Sequence, residues 1–126
     1  MNIKITGSGS YIPTKIVTNK DFSNHVFLNE DGTPFPLPNE VITEKFYGIT
    51  GIEERRYASD DLLTSDIATI AEKKAIENAN IDPETLDYII FAHNFGDVKN
   101  GAIQGDMLPS LASKTKYNLR IQNPKC

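Results

Sequence analysis

The only thiol in the chain, Cys126, stands last in "LRIQNPKC". A nucleophilic cysteine needs a depressed pKa, which a helix N-terminus or a neighbouring histidine supplies. Lys125 helps electrostatically, but Pro124 precedes it and neither His25 nor His93 has a sequence tie to the thiol. One cysteine makes no internal disulfide, and two widely spaced histidines make no zinc site. The best polar cluster is His93 with Asn94 and Asp97, at the end of the apolar run "LDYIIFAHN" and beside the glycine-rich "GDVKNGAIQGD". In open α/β sheets ligands sit at the carboxyl ends of strands. The competing reading is a partly buried histidine satisfied by backbone. Glu53, Glu54, Arg55 and Arg56 either offer two guanidinium groups to an anion or form a mutually paired, solvated face. Asp60, Asp61 and Asp66 lack the glycine and glutamate of a calcium loop. Gly7-Ser8-Gly9-Ser10 invites comparison with a phosphate loop. That motif needs a Lys-Ser/Thr pair opening a helix, and Tyr11-Ile12-Pro13 follows instead, so the glycines are expected to serve close packing.

Composition narrows the classes. The chain has 126 residues, of which 39% are hydrophobic and 24% charged, so one ordinary globular domain is expected. A net charge of −4 and three arginines that form no basic patch, two of them between glutamates and a tyrosine, give no footprint for nucleic acid. No stretch approaches the roughly 18 apolar residues of a membrane span. "MNIKITGSGSYIP" lacks the charged-then-apolar layout of a signal peptide. The expectation is a cytoplasmic protein with no metal, no nucleic-acid partner and no membrane partner.

Several elements must position these residues. Ile3 and Ile5 alternate into Gly7 and Gly9, which reads as an opening strand. Thr18 or Asn19 caps a short helix over "NKDF". "LNEDGTPFPLPNE", with three prolines, is an exposed excursion whose tight turn falls at Asp31-Gly32. Asn39 is expected to cap "EVITEKFYGI", which brings Val41, Ile42, Lys45, Phe46 and Ile49 to one side. "TSDIATIAEKKAIENANI", from Thr64 to Ile81, is the best-defined helix, with Thr64 or Ser65 accepting from its first amides. Its stripe of Ala68, Ala71, Ala75 and Ala79 permits unusually close packing. Leu86 to Asn94 reads as a strand buried on both faces of a parallel sheet. "MLPSLASKTKYN" is helical with Pro109 in its first turn, and "RIQNPKC" heads toward another strand. Strand, helix and buried strand together give an α/β layered fold. A final strand barely begun leaves a sheet edge unpaired, which reads as the front of something longer. A small self-standing α/β binding module without chemistry is the alternative.

Thr50-Gly51-Ile52 with Glu54-Arg55-Arg56 close behind, the alanine-rich helix, the "DPETLD" turn and the run ending in Ala92 resemble the N-terminal half of ketoacyl-acyl carrier protein synthase III. "IKITGSGSYIPTKIVTN" resembles that family's opening strand, and "LPSLASK" resumes the likeness at residue 108. The family belongs to the thiolase superfamily of condensing enzymes, so the resemblance implies a partial thiolase-like layered fold, with helices packed on a mixed sheet. Residues 1–126 are then the N-terminal portion of a condensing-enzyme domain.

The resemblance also implies an acyltransferase. Its cysteine takes an acyl group from acyl-CoA or an acyl-carrier protein, and a His/Asn pair assists decarboxylation of malonyl-acyl carrier protein. None of the three falls in this chain. The nucleophile is expected about nine residues after Cys126, at a helix start suited to a thiolate, with His and Asn farther on. Cys126 matches a non-catalytic cysteine on the approach, and the 126-residue chain alone is expected to be inactive. No cofactor is implied. The partners are acyl carrier protein and a second copy of the chain, in a homodimer. Leu108 matches a residue that enters the partner subunit's acyl pocket. Ile49 stands where bacterial members often place an arginine on CoA, and Lys45 where an aromatic residue is expected. The Leu28–Glu40 and Gly96–Asp106 loops are longer than usual.

Overall fold

Lys15–Thr18 forms strand β1, and Asn39–Thr50 forms helix α1. Glu54–Tyr57 forms strand β2, which pairs antiparallel with β1 in the register Ile16 opposite Arg56 and Val17 opposite Arg55. The computed structural model describes residues 2–126. These three elements belong to one of two compact units, Pro13–Ala58. A 3-10 turn over Asn19–Phe22 follows β1. Asp21 closes it, accepting from the Thr18 amide at 2.6 Å and the Thr18 hydroxyl at 2.7 Å; Thr18 holds the cap position, but its hydroxyl donates to Asp21 and accepts from no helical amide. Asn19 donates from its amide side chain to the Ile52 carbonyl at 3.1 Å and accepts from Arg55 at 2.8 Å. The Arg55 guanidinium also lies 5.2 Å from the Phe22 ring centre.

The proline-rich segment does not hang free. Asn29 and Thr33 close a turn in which Gly32 takes φ 80°, a left-handed value that glycine adopts without strain, and Asp31 accepts from the Thr33 amide and hydroxyl. Leu28 bridges Pro34 across it. Phe22, His25, Phe27 and Phe46 stack edge-on or tilted at 4.8–6.4 Å in a partly exposed aromatic cluster, and α1 buries Ile42. Asn39 is not the cap of α1. It is the first helical residue, behind Pro38, and its side-chain amide is engaged by the carbonyls of Phe22, Ser23 and His25. Gly51, at φ 68°, ends α1 with its amide on the Tyr47 carbonyl at 2.7 Å.

Residues 2–12 and 59–126 form the other unit. Thr64–Ala79 is helix α2, ended by Asn80 in the left-handed region, and Leu111–Asn118 is helix α3. Segment 2–12 has no strand partner among the described residues, contrary to the alternation of Ile3 and Ile5. It runs instead against α2. A Cβ on Gly7 would stand 2.7 Å from the Ala79 methyl carbon, and one on Gly9 only 2.2 Å from the Ala71 carbonyl. The small-residue seam read from both stretches is therefore one contact. Ser8 donates its amide to Asn78 at 3.1 Å and Lys74 reaches the Ser10 carbonyl at 2.9 Å, fixing the register.

Three further expectations change. Leu86–Asn94 lacks ladder hydrogen bonds, and Tyr88 and Ile90 are exposed, so it is not a strand buried on both faces among the described residues. Pro109 precedes the Ser110 cap of α3 rather than lying in its first turn. "RIQNPKC" forms a turn, because Glu84 accepts from the Gln122 and Asn123 amides at 2.8 and 2.7 Å. Asn123 also donates to the Leu86 carbonyl at 2.8 Å, which uses the groups a strand would offer. The described sheet has two antiparallel strands rather than mixed ones, and the architecture is α/β with three helices. No helix of the described residues is long and apolar enough to cross a membrane.

Candidate functional site

Asp97 is a buried carboxylate with three hydrogen-bond donors. It is 1% exposed and accepts from the Ser65 amide and hydroxyl, both at 2.8 Å, and from Lys114 Nζ at 2.8 Å. Asp97 thus does the capping that Thr64 and Ser65 were expected to do. Asp66 accepts from the Leu63 amide at 3.0 Å and closes the same end. A negative charge there complements the helix dipole. Burial pushes the Asp97 carboxyl upward, but the hydrogen bonds from Lys114 and Ser65 outweigh it and hold the group below the usual range. Lys114 is held above its usual value, first by the hydrogen bond to Asp97. It also reaches Asp106 at 3.1 Å. No sequence signal pointed to Lys114. Its partner Asp97 stands out in the sequence only as a neighbour of His93 in a polar cluster, with ligand binding and a backbone-satisfied histidine both open.

The His93–Asn94–Asp97 cluster is therefore split. Asp97 is buried under α2, while His93 and Asn94 are exposed along an open cleft of about 400 Å³ with Tyr11, Ile67, Ala71 and Phe91. The ring of Phe91 stacks edge-on against His93 at 5.6 Å. Arg56 pairs with Glu54 at 3.0 Å within the run, while Arg55 is held by Asn19 and Phe22 outside it, so both guanidinium groups are already engaged. Ile49 is 82% exposed and lines, with Lys45, a groove of about 260 Å³ whose other walls are Phe27, Leu28, Phe35, Ile42 and Phe46. Leu108 is 84% exposed, two residues before the α3 cap. Cys126 is half-buried, and its carbonyl and that of Asn123 accept from Lys116 at 2.7 and 2.6 Å. Its amide turns back to the Asn123 carbonyl at 3.3 Å.

A second carboxylate escaped the sequence reading. Glu72 of α2 faces the fully buried Thr115 of α3, and its Oε2 is buried without a hydrogen-bond partner among the described residues. Desolvation raises its pKa, and a hydrogen bond with Thr115 offsets only part of that.

No family model matches the chain. Solved structures place the fold. Residues covering 94% of this chain superpose on a 3-oxoacyl-acyl-carrier-protein synthase III from Aquifex aeolicus at TM-score 0.67 and 31% identity, over 32% of that chain. A synthase III of Xanthomonas oryzae gives TM-score 0.72 over the whole of this chain and 33% of its own, at 21% identity. The fold is the N-terminal part of the thiolase-like class. In sequence, the chain is 46% identical over 119 residues to a beta-ketoacyl-acyl-carrier-protein synthase III of Caldanaerobacter subterraneus, covering 94% of this chain and 30% of that protein. It is 42% identical over 98 residues to one of Staphylococcus haemolyticus, and 38% over 97 residues to an acetoacetyl CoA synthase of a Streptomyces species. The chain belongs to the beta-ketoacyl-acyl-carrier-protein synthase III family, as an N-terminal part spanning about 30% of the relatives' length.

Proposed function

We propose that the protein carrying this chain is a ketoacyl synthase III-type acyltransferase. A cysteine thiolate attacks the carbonyl of an acyl thioester and the donor thiolate leaves. Malonyl-acyl carrier protein then loses carbon dioxide, and the resulting enolate attacks the enzyme thioester, releasing the cysteine. A thiolate at a helix N-terminus suits the first step and an oxyanion site the second. The residues for both lie outside residues 1–126 in this reading: the nucleophile about nine residues after Cys126, His and Asn farther on. The 126-residue chain alone is inactive, because members of a coupled site do not act singly.

The observation that carries the reading is the 46% identity to a synthase III over 119 residues. Ile3, Ile5 and Ile90, exposed by 84%, 87% and 92%, favour it over a self-standing module, which would leave these apolar side chains uncovered. Within the reading, residues 1–126 end before the catalytic cysteine, acyl carrier protein is the partner that brings malonate, and the protein is a cytoplasmic homodimer that needs no cofactor. Leu108 enters the partner subunit's acyl pocket. Ile49 and Lys45 stand at the donor-contact position, where an apolar groove with a single ammonium group replaces a guanidinium fork. An ammonium is a point charge and does not reproduce bidentate phosphate binding. The acyl donor is therefore carried on a carrier protein, or on CoA held without an arginine at residue 49.

The test is condensation by the full-length protein from a labelled acyl thioester and malonyl-acyl carrier protein, with the product weighed by mass spectrometry. A ketoacyl product from the full-length protein, and none above background from residues 1–126, supports the reading. Turnover by the 126-residue chain would sink it.

A further inference from the structure

Lys114 holds two carboxylates that stand at opposite ends of one loop. Its Nζ lies 2.8 Å from Asp97 Oδ2 and 3.1 Å from Asp106 Oδ2. The Asp106 amide donates to the Asp97 carbonyl at 2.8 Å, so the neck of the loop over residues 98–105 is closed by backbone as well. On the entering side the Thr64 hydroxyl donates to the Gly96 carbonyl at 3.2 Å, and Asp97 is fixed to Ser65. On the leaving side the chain reaches Ser110, whose hydroxyl accepts from the Ser113 amide at 3.2 Å, and then the buried Leu111. Leu108 hangs between these anchors, two residues after Asp106 and two before Ser110. Leu108 is 84% exposed.

We propose that the Asp97–Lys114–Asp106 clamp is a positioning device for acyl chain-length selection, holding Leu108 at a fixed height above the start of α3. It rests on the reading above, in which Leu108 enters the partner subunit's acyl pocket. Two parts of the clamp do different work. Asp97 is buried and capped onto α2, so its bonds hold the fold together. Asp106 is half exposed, and an exposed ion pair contributes little to stability. What the Asp106 contact does is restrain the backbone two residues from Leu108. Lys114 stays charged throughout the working pH range, because both carboxylates favour its ammonium form. A restraint that is weak for folding but close to the selecting side chain separates positioning from stability.

The experiment uses the full-length protein and a series of straight-chain acyl thioesters of increasing length, reading kcat/KM for each. Asp106→Asn should keep the parent's melting temperature and raise the long-to-short ratio by roughly tenfold, the scale of a methylene in an apolar pocket. Lys114→Met should do the same with lower stability, and Lys114→Arg should restore the parent profile. Leu108→Ala should shift the profile on its own, and adding Asp106→Asn to it should change nothing further, since both act at one place. A parent profile for Asp106→Asn alongside a shifted Leu108→Ala would overturn the clamp and leave the reading standing. A uniform fall across all donors for Asp106→Asn would overturn it too, as a merely structural role. An unshifted Leu108→Ala would overturn the clamp together with the reading. If Lys114→Met fails to fold, Asp106→Asn decides alone.

Discussion

Gly9→Ala is the sharpest test of how the first segment meets α2. An added Cβ would stand 2.2 Å from the Ala71 carbonyl oxygen and 2.4 Å from the Ala75 amide nitrogen, both backbone atoms that cannot rotate aside. Ordinary contact begins near 3.4 Å, so the segment must withdraw by about 1.2 Å. Overpacking of this kind costs about 1–3 kcal/mol. The withdrawal also stretches the Ser8 amide to Asn78 and Lys74 to Ser10, for about 1 kcal/mol each when lost. The sum is about 3–5 kcal/mol. Gly48→Ala is the opposite control. Gly48 lies in α1 with nothing within 4 Å of its would-be Cβ, so alanine should stabilise by about 0.5–1 kcal/mol. Equilibrium urea denaturation of the full-length protein reads both. A Gly9→Ala protein as stable as its parent would refute the close approach of this segment to α2.

Asp97→Asn should cost about 2–4 kcal/mol, since it removes a charged helix cap and leaves Lys114 with Asp106 alone. The folded Asp97 pKa is lowered, so its stabilisation is present above the unfolded aspartate value and fades as pH falls through the folded one; melting temperatures of parent and variant should converge in acid. Glu72 has the opposite sign. Its raised folded pKa means stability is full below the unfolded glutamate value and is lost as pH rises through the folded one. Glu72→Gln should therefore raise the melting temperature at neutral pH, and a lower one would contradict the buried, unpartnered carboxylate oxygen.

What the sequence made legible follows physical lines. The α2 helix, the Asp31-Gly32 turn and the glycine–alanine seam were readable because each rests on local spacing or on the absence of a side chain. Strands β1 and β2 were missed: four residues each, they are defined by partners nearly forty positions apart, not by local pattern. Leu86–Asn94 was over-read for the same reason, since an apolar run shows a strand's material and not its neighbours. Asp97 was legible only as part of the polar cluster around His93, not as the cap of α2. Its spacing to Gly96 and Asn94 says nothing of Ser65, 32 residues earlier, or of Lys114, 17 later, and only the fold brings the three together. Ile49, Lys45 and Leu108 came from family resemblance alone, and their exposure on a groove wall and a loop is compatible with contact to substrate or subunit.

The most direct measurement maps the acyl-enzyme thioester. Full-length protein is incubated with an isotopically labelled acyl donor without malonyl-acyl carrier protein, quenched in acid, digested and sequenced by mass spectrometry. The adduct should fall on one cysteine C-terminal to Cys126, with the Cys126 peptide unmodified and Cys126→Ser protein loaded to the same extent. Label on Cys126 itself would contradict the account and return that thiol to the centre of the chemistry.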